Sequence, residues 1–406
     1  MYRAAPASGV RGYFNVSVNQ SCPKSLSMNT LQCIHTLARN GARYRLLSYF
    51  GKPGHLQTIS LEITHRCFCR CSMCNIWKIP AHVPDLELSQ WLNLLSSPEL
   101  LHLRELDLTG GEPFLRNDLD DLLHGICNLQ PTYFPELQTL AITTNGILTD
   151  KILELTRKII EPLKRLGIDL VLACGMDAVG DLHDRIRGFP GAWEKLQKTL
   201  FGLYKLRSRY SNLVLGIKTT VVPLNVRELD RLADYAEKNN LFTIISPRII
   251  TPNRFGNNDR ESDLKFSPAD VAEMIRFYES PRFAWSGHRK ALLQYLRTGK
   301  ITKPCSAGFN TLFIRHTGDV FPCPVLSTPL GNIRSQSLGA LFNNAFACQF
   351  RKEINTFAEC AVCTEPGMER IAGPFEGFTL LKFLAETGLN NFNRHVEHTG
   401  IDKYIV

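Results

Sequence analysis

The sequence predicts an α/β protein with a parallel sheet, followed by a small cysteine-rich module. Short β-rich runs alternate with longer helical runs from residue 59 to about residue 248, which is typical of repeated βα units. Cysteine, glycine and proline then become frequent between residues 301 and 370, and regular periodicity fades. Parallel strands joined by right-handed crossovers either close into a barrel or open into a doubly wound sheet. In both arrangements ligands bind at the carboxyl ends of the strands.

Six strands and five intervening helices account for the βα pattern. The strands are predicted over residues 59–64, 104–108, 138–143, 168–174, 213–222 and 242–246, and the helices over 87–95, 115–129, 150–166, 193–207 and 226–239. In the third helix, apolar residues such as Ile152, Leu155 and Ile159 recur at helical spacing, with charged residues on the opposite side. That helix is therefore expected to pack on the sheet.

The rest of the chain divides by composition. Residues 1–55 are predicted as an extension with one helix over 29–47, residues 56–250 as the core, and residues 251–300 as a helical connecting segment. Residues 301–370 are predicted as a metal-stapled module and residues 371–406 as a C-terminal tail.

Composition limits the possible functions. The formal charge is +9, but the 47 basic residues form no block of five or six, so no nucleic-acid partner is expected. No apolar run reaches the roughly 20 residues of a membrane span, and the N-terminus lacks the apolar core of a secretory signal. We therefore expect a cytoplasmic protein whose 13 cysteines serve metal binding or catalysis rather than a disulfide framework.

Three cysteines follow the first predicted strand with the spacing Cys-x3-Cys-x2-Cys: Cys67, Cys71 and Cys74. Three thiolates on a short loop can ligate three irons of a 4Fe-4S cluster and leave the fourth iron open for chemistry. Structural zinc is the alternative, but it normally fills all four positions with protein ligands. Cys69 gives an alternative register with Cys71 and Cys74, but we treat it as a non-ligand.

This loop resembles the defining motif of the radical S-adenosylmethionine (SAM) superfamily, and the resemblance covers about residues 56–370. It implies a partial (βα)6 TIM-like barrel, an enzyme, and SAM bound at the open iron. A second match ends the second strand, where Gly110, Gly111, Glu112 and Pro113 resemble the family's GGEP motif that holds the SAM amino group. Glycine suits this position because it lets the backbone approach a ligand closely.

Other matches imply further SAM contacts. Asn145 ends the third strand as in relatives, and Arg187 closes a segment in which relatives pair an arginine with the SAM carboxylate. Two positions depart from the family pattern. Gly175 stands where relatives carry a serine, and Met73 stands where an aromatic residue is frequent, although its polarizable side chain can still lie against adenine.

A second cysteine set lies in the C-terminal module: Cys305, Cys323, Cys360 and Cys363. It resembles the SPASM/twitch extension of radical SAM enzymes, which implies an auxiliary 4Fe-4S cluster. No cysteine follows Cys363, so one auxiliary cluster is expected rather than two. Zinc remains an alternative because four thiolates suit both metals. Cys348 could replace one ligand, but we expect it to be a packed small residue.

The resemblance implies reductive cleavage of SAM to a 5′-deoxyadenosyl radical that abstracts hydrogen from a substrate, with electrons from a reductant such as flavodoxin or ferredoxin. Cys174 is a candidate hydrogen donor, with a packed core cysteine as the alternative. Pro324 replaces the aspartate of SPASM alcohol and thiol dehydrogenases, and the C-terminus lacks the Gly-Gly tail of molybdopterin-type cyclases.

The substrate is less determined by the sequence. About 55 residues before the barrel are too few for a compact peptide-binding domain, so a small molecule, sugar, lipid or cofactor precursor is expected. One alternative is a SPASM-type maturase of ribosomal peptides or proteins. The other is a non-catalytic iron-sulfur relay or sensor, which would need neither the glycine pair nor Arg187.

Overall fold

The computed structural model describes residues 30–405. The first 29 residues of the predicted extension lie outside this range, as does Val406. The strands are β1 Thr58–Thr64, β2 Glu105–Gly110, β3 Thr139–Thr144, β4 Asp169–Gly175, β5 Leu213–Val221, β6 Phe242–Pro247, β7 Thr311–Ile314, β8 Asp319–Phe321 and β9 Gly331–Asn332. The helices are α1 Thr30–Phe50, α2 Leu88–Leu95, α3 Leu119–Tyr133, α4 Thr149–Arg165, α5 Asp181–Arg187, α6 Ala192–Arg207, α7 Leu229–Lys238, α8 Pro268–Glu279, α9 Gly287–Thr298, α10 Leu338–Asn343, α11 Ala345–Lys352, α12 Pro366–Glu376, α13 Phe378–Thr399 and α14 Asp402–Ile405.

One nine-stranded sheet has the order β6-β5-β4-β3-β2-β1-β7-β8-β9. Strands β1 to β6 are parallel, β7 joins β1 in parallel, and β8 and β9 continue as antiparallel strands. Thr58 of β1 therefore faces Glu105 of β2 on one side and Thr311 of β7 on the other. The predicted α/β class with six parallel βα units is confirmed, and the cysteine-rich module extends the same sheet.

Hydrophobic periodicity explains the helices that cover this sheet. In α4, Ile152, Leu155 and Ile159 are buried in the main core cluster, as their spacing predicts. Two helices begin later than expected, because short 3-10 turns at Pro113–Leu115 and Val226–Glu228 precede α3 and α7. Within residues 30–405, no helix combines the length and apolar character that crossing a membrane requires.

The segment predicted only as a tail is helical. Helices α12 and α13 pack against α1, and their shared core is a second hydrophobic cluster that includes Leu37, Leu380 and Val396. Helix α14 brings Tyr404 within 2.8 Å of the Thr58 hydroxyl at the start of β1. The C-terminal residues therefore cover the amino ends of the strands, opposite the edge where ligands are expected.

Candidate active site

A large cavity lies at the carboxyl ends of the parallel strands. Its volume is about 1260 Å³, open solvent included. Strand ends form one side, the cysteine loop after β1 forms another, and Glu365 and Pro366 reach it from the C-terminal module. This is the location that parallel α/β folds provide for ligands. Most of the predicted site residues line this one space.

The cysteine loop places all three predicted cluster ligands on the cavity, together with Cys69. Cys69 is almost fully buried, and Asn145 donates to its sulfur over 3.4 Å. A hydrogen bond with Cys69 lowers the pKa of Cys71 to about 7. Burial and the charge of the neighbouring Cys71 thiolate together raise the pKa of Cys74 to about 12. Crowded sulfur ligands with little access to water favour a bound cation that compensates their charge.

Helix α5 anchors this loop by backbone hydrogen bonds. The amide of Arg70 donates to the carbonyl of Arg187 over 2.9 Å, and that of Ser72 donates to the carbonyl of Ile186 over 2.8 Å. The helix ends at Gly188, whose φ of +58° lies in the left-handed region. A Cβ at Gly188 would lie 2.5 Å from the Arg70 carbonyl oxygen, so glycine is needed for this close approach.

The connecting segment after β6 holds the loop from the other side. The buried Asn257 side chain donates to the carbonyls of Met73 (2.8 Å) and Ile249 (3.0 Å). Arg260 donates to the carbonyl of Ser72 over 2.9 Å. These contacts join residues nearly 190 positions apart, so local sequence patterns could not predict them.

The glycine pair packs directly against the start of the cysteine loop. The Gly111 amide donates to the Thr64 carbonyl, and a Cβ on Gly111 would lie 2.3 Å from the Arg66 carbonyl oxygen. Both Gly110 and Gly111 line the cavity, whereas Glu112 and Pro113 are buried and do not. The backbone of the pair is therefore the part of this motif that can contact a ligand.

Glu112 instead organises the end of β3. Its carboxylate accepts hydrogen bonds from the Asn145 amide (2.7 Å), the Thr144 hydroxyl (2.8 Å) and the Phe114 amide (3.1 Å). Burial nevertheless raises the pKa of Glu112 to about 7. Glu112 fixes the position of Asn145, which lines the cavity. Direct binding of SAM by Glu112, Pro113 and Asn145 stays a prediction.

Arg187 reaches the cavity beside the cysteine loop. Its Nε lies 2.8 Å from a carboxylate oxygen of the fully buried Asp177, and its Nη1 lies 4.0 Å from the sulfur of Cys71. A Cβ on Gly175 would come 2.2 Å from Nη2 of Arg187. Because Gly175 has no side chain, the guanidinium can occupy this position. Its role as a carboxylate clamp for SAM stays a prediction.

Sequence reasoning missed several charged residues of the cavity, and three of them come from separate parts of the chain. Lys218 of β5 and Arg254 of the connecting segment line it, with Glu365 from the C-terminal module. Arg254 and Glu365 lie 3.8 Å apart as an ion pair. The sequence did contain an indication that Lys218 lines a cavity. It is the one charged residue of β5, and a charged side chain inside a strand is expected to face a polar cavity. Nothing in the local sequence indicated that Arg254 and Glu365 would line the cavity.

Cys174 does not lie on the cavity. It is fully buried in the main hydrophobic cluster, and burial raises the pKa of its thiol to about 12. A hydrogen donor must reach the substrate radical, so this placement favours the alternative of a packed core cysteine.

The second cysteine set gathers in a separate hydrophobic cluster. Cys305, Cys323 and Cys363 pack there with Val325 and Met368. Burial, together with the charges of the Cys363 and Cys360 thiolates, raises the pKa of Cys305 to about 12, so the thiols share one neighbourhood. Cys348 lies elsewhere, half-buried on α11, with its sulfur 3.7 Å from the Phe50 carbonyl.

The donors of both sets suit an iron-sulfur cluster, whose irons are held by cysteine thiolates. Within residues 30–405, no three cysteine sulfurs all lie within 4.8 Å of one another.

Fold and site together define the class: an α/β enzyme domain whose three-cysteine loop and glycine pair share one cavity, joined to an iron-sulfur module. The model of the radical SAM superfamily matches residues 61–236, and that of the SPASM iron-sulfur cluster-binding domain matches residues 305–364. The chain belongs to the radical SAM superfamily and is an enzyme, so the non-catalytic relay is set aside. Its domains imply SAM, a 4Fe-4S cluster and a further iron-sulfur cluster.

Curated relatives are similar over about three quarters of the chain. The AdoMet-dependent heme synthase of Methanosarcina barkeri is 25% identical over 75% of this chain and 87% of its own length. The Bacillus subtilis subtilosin biosynthesis protein AlbA is 22% identical over 76% of this chain, which spans only 63% of AlbA. The PqqA peptide cyclase of Granulibacter bethesdensis is 25% identical over 71% of this chain and 74% of its length.

Among solved structures, Streptococcus suis SuiB shares the fold with a TM-score of 0.55 at 14% identity, over 77% of this chain and 72% of SuiB. SuiB has also been solved with its precursor peptide SuiA.

The expected preference for a small-molecule substrate is wrong, because the relatives of this chain include proteins named for peptide cyclisation and bacteriocin biosynthesis. The expectation assumed that a peptide substrate needs a separate domain before the barrel. The structure provides a wide cavity bordered by the connecting segment and the C-terminal module, which does not depend on such a domain.

Proposed function

We propose that this enzyme modifies a ribosomally made peptide by abstracting a hydrogen atom from one of its residues. The observation that supports this proposal most directly is the cavity of about 1260 Å³, open solvent included, which the cysteine loop and the C-terminal module line together. A peptide segment in this space would lie against the loop of the first cluster and against Glu365 and Pro366 of the C-terminal module. The names of the relatives AlbA and PqqA cyclase support the same substrate class.

The bound cofactors supply the radical: SAM at the open iron is cleaved reductively to methionine and a 5′-deoxyadenosyl radical. The chain supplies orientation. The Gly110 and Gly111 backbone and the Arg187 guanidinium line the cavity, which supports the proposal that they hold the amino and carboxylate ends of SAM. An auxiliary cluster held by Cys305, Cys323, Cys360 and Cys363 would supply an electron acceptor for an oxidative reaction.

Charges across the cavity can orient a peptide. Lys218 makes no ion pair with the described residues, whereas Arg254 already faces Glu365 over 3.8 Å. A carboxylate on the substrate, from an acidic residue or the C-terminus, is therefore expected to pair with Lys218.

We place the enzyme in a reducing compartment such as the cytoplasm. The twelve cysteines of the described range are unpaired thiols. Thiols persist in that form where glutathione and thioredoxin maintain reduction.

The test follows a hydrogen atom. Perdeuterated peptides encoded by the short reading frames next to the gene are incubated with the cluster-reconstituted full chain, SAM and dithionite under anaerobic conditions. We expect deuterium in the 5′-deoxyadenosine and a mass change in one peptide. Nucleoside that forms at full rate but takes deuterium from none of these peptides would contradict the proposal.

A matched pair of variants separates radical formation from peptide modification. Cys323→Ala removes one auxiliary ligand and is expected to retain 5′-deoxyadenosine formation while losing the modified peptide. Cys127→Ala, a half-buried cysteine in α3, is expected to retain both activities. Iron counting should leave about four irons on the Cys323→Ala chain.

A further inference from the structure

A group of metal-ligand side chains lies beside the cysteine loop and has no part in either cysteine set. His65 directly follows β1, His316 follows β7, and Asp85 lies in the loop before α2. Their ligand atoms all lie within 4.8 Å of one another. Both imidazoles are only 2% exposed, and Asp85 is 13% exposed.

The three ligand atoms are close enough to share one metal ion after a small widening of the His65–Asp85 contact. Oδ1 of Asp85 lies 2.8 Å from Nδ1 of His65 and 3.2 Å from Nδ1 of His316. Nitrogen and oxygen ligands at about 2.0–2.1 Å from tetrahedral zinc are about 3.3 Å apart. Two histidines and one carboxylate form a ligand set that divalent transition metals accept, with a position left for water.

Hydrogen bonding alone leaves this group unsatisfied. Oδ1 of Asp85 accepts from the amide and Nδ1 of His65, which uses both of its lone pairs. Nδ1 of His316 faces the same oxygen but makes no hydrogen bond, and Nε2 of His65 also lacks a partner in the described structure. Buried polar atoms without partners are costly and call for an explanation. A cation would accept electron pairs from both rings and the carboxylate together.

Polar groups around His316 and Asp85 are placed to support them as metal ligands. Nε2 of His316 lies 3.8 Å from a carboxylate oxygen of Glu62, which Arg315 holds at 3.0 Å. The Thr64 hydroxyl donates to the other oxygen of Asp85 over 2.6 Å. Metal-binding histidines usually donate their second ring N–H to a carboxylate, and Glu62 lies near enough to His316 to take this role after a small shift.

We propose that His65, Asp85 and His316 bind a divalent transition metal, with zinc as the preferred ion. His65 and Asp85 belong to the radical SAM domain, whereas His316 belongs to the SPASM domain. The ion therefore joins the two domains at the β1–β7 pair. It also fixes the chain two residues before Cys67, where the cluster loop begins. This site does not depend on the identity of the substrate.

Zinc binding is tested on the full chain after both iron-sulfur clusters are reconstituted, so that the cluster cysteines are occupied. Zinc is added, excess is removed, and metals are counted and examined by X-ray absorption at the zinc edge. We expect about one zinc per chain with nitrogen and oxygen neighbours at about 2.0–2.1 Å. No retained zinc, or zinc surrounded by sulfur, would overturn the site.

Two variants locate the ion. His316→Gln is expected to lose most of the zinc while keeping its cluster iron. His124→Ala removes a half-exposed histidine paired with Asp120 on the surface and is expected to keep the zinc. Zinc retained by His316→Gln at the wild-type level would overturn the assignment. If that variant does not fold, the wild-type absorption spectrum still decides by its ligand shell.

Discussion

At the residue scale, one of the two positions that depart from the family pattern has a steric explanation. Gly175 lies under the guanidinium of Arg187, which reaches past it toward the sulfur of Cys71. The sequence showed the absence of a serine at this position but could not show which side chain fills the space. The observed position of the Arg187 guanidinium therefore requires a glycine at residue 175.

Gly175→Ala is expected to displace Arg187, because the new Cβ would lie 2.2 Å from Nη2. A charge-assisted hydrogen bond contributes about 1.5–3 kcal/mol, so SAM affinity should fall about tenfold or more. Equilibrium dialysis of labelled SAM against the cluster-loaded protein measures this. Gly373→Ala in α12 is the control, since its Cβ meets only Leu380 at 3.8 Å. Equal affinity in both variants would contradict the account of Arg187.

At the element scale, the sequence predicted strands far better than the contacts that hold the site. All six strands of the βα region begin and end within two residues of their predicted bounds, because their apolar runs are bounded by turn residues. Helix α5 was missed because its seven residues are too short for a full amphipathic pattern. The anchors of the cysteine loop were missed because Asn257 and Arg260 come from a polar segment far along the chain.

Asn257→Ala is expected to loosen the cysteine loop, because it removes two donors from the carbonyls of Met73 and Ile249 at a fully buried position. Leaving such groups unpaired costs about 1–3 kcal/mol each. Cluster iron should therefore be released to a chelator several-fold faster, measured by the loss of cluster absorbance.

Asn343→Ala is the matched control, because its amide makes one exposed hydrogen bond within α10. Equal rates of iron release from the two variants would show that the connecting segment does not hold the loop.

At the scale of the whole molecule, helices α12 and α14 cover the amino ends of the strands, opposite the active site. Glu105 at the start of β2 contacts Arg370 of α12 and lies 2.8 Å from Lys403 of α14. Burial alone would raise the pKa of Glu105, but the charges of Arg370 and Lys403 outweigh it and lower the pKa to about 2. These buried contacts tie residues that composition had marked only as a tail to the core.

Glu105→Gln is expected to lower the midpoint of thermal unfolding by several degrees, because it leaves two buried cations without their anion. The lowered pKa means that the carboxylate's contribution is present above the ordinary value near 4.5 and is lost only as pH falls toward 2. The difference in unfolding midpoint between Glu105→Gln and the wild type should therefore stay constant between pH 8 and about pH 5. A difference in midpoint that disappears over that range would contradict the pairing of Glu105 with Arg370 and Lys403. Glu154→Gln, a surface i,i+4 partner of Lys158, should show almost no difference.

The central claim is that the loop of Cys67, Cys71 and Cys74 holds a cluster that cleaves SAM. The most direct measurement is 5′-deoxyadenosine formed by the reconstituted full chain with SAM and dithionite, separated by chromatography. We expect the nucleoside from the wild type and from Cys348→Ala, and none from Cys71→Ala. A cluster-replete wild-type protein that forms no 5′-deoxyadenosine, or a Cys71→Ala variant that forms it at the wild-type rate, would contradict the account.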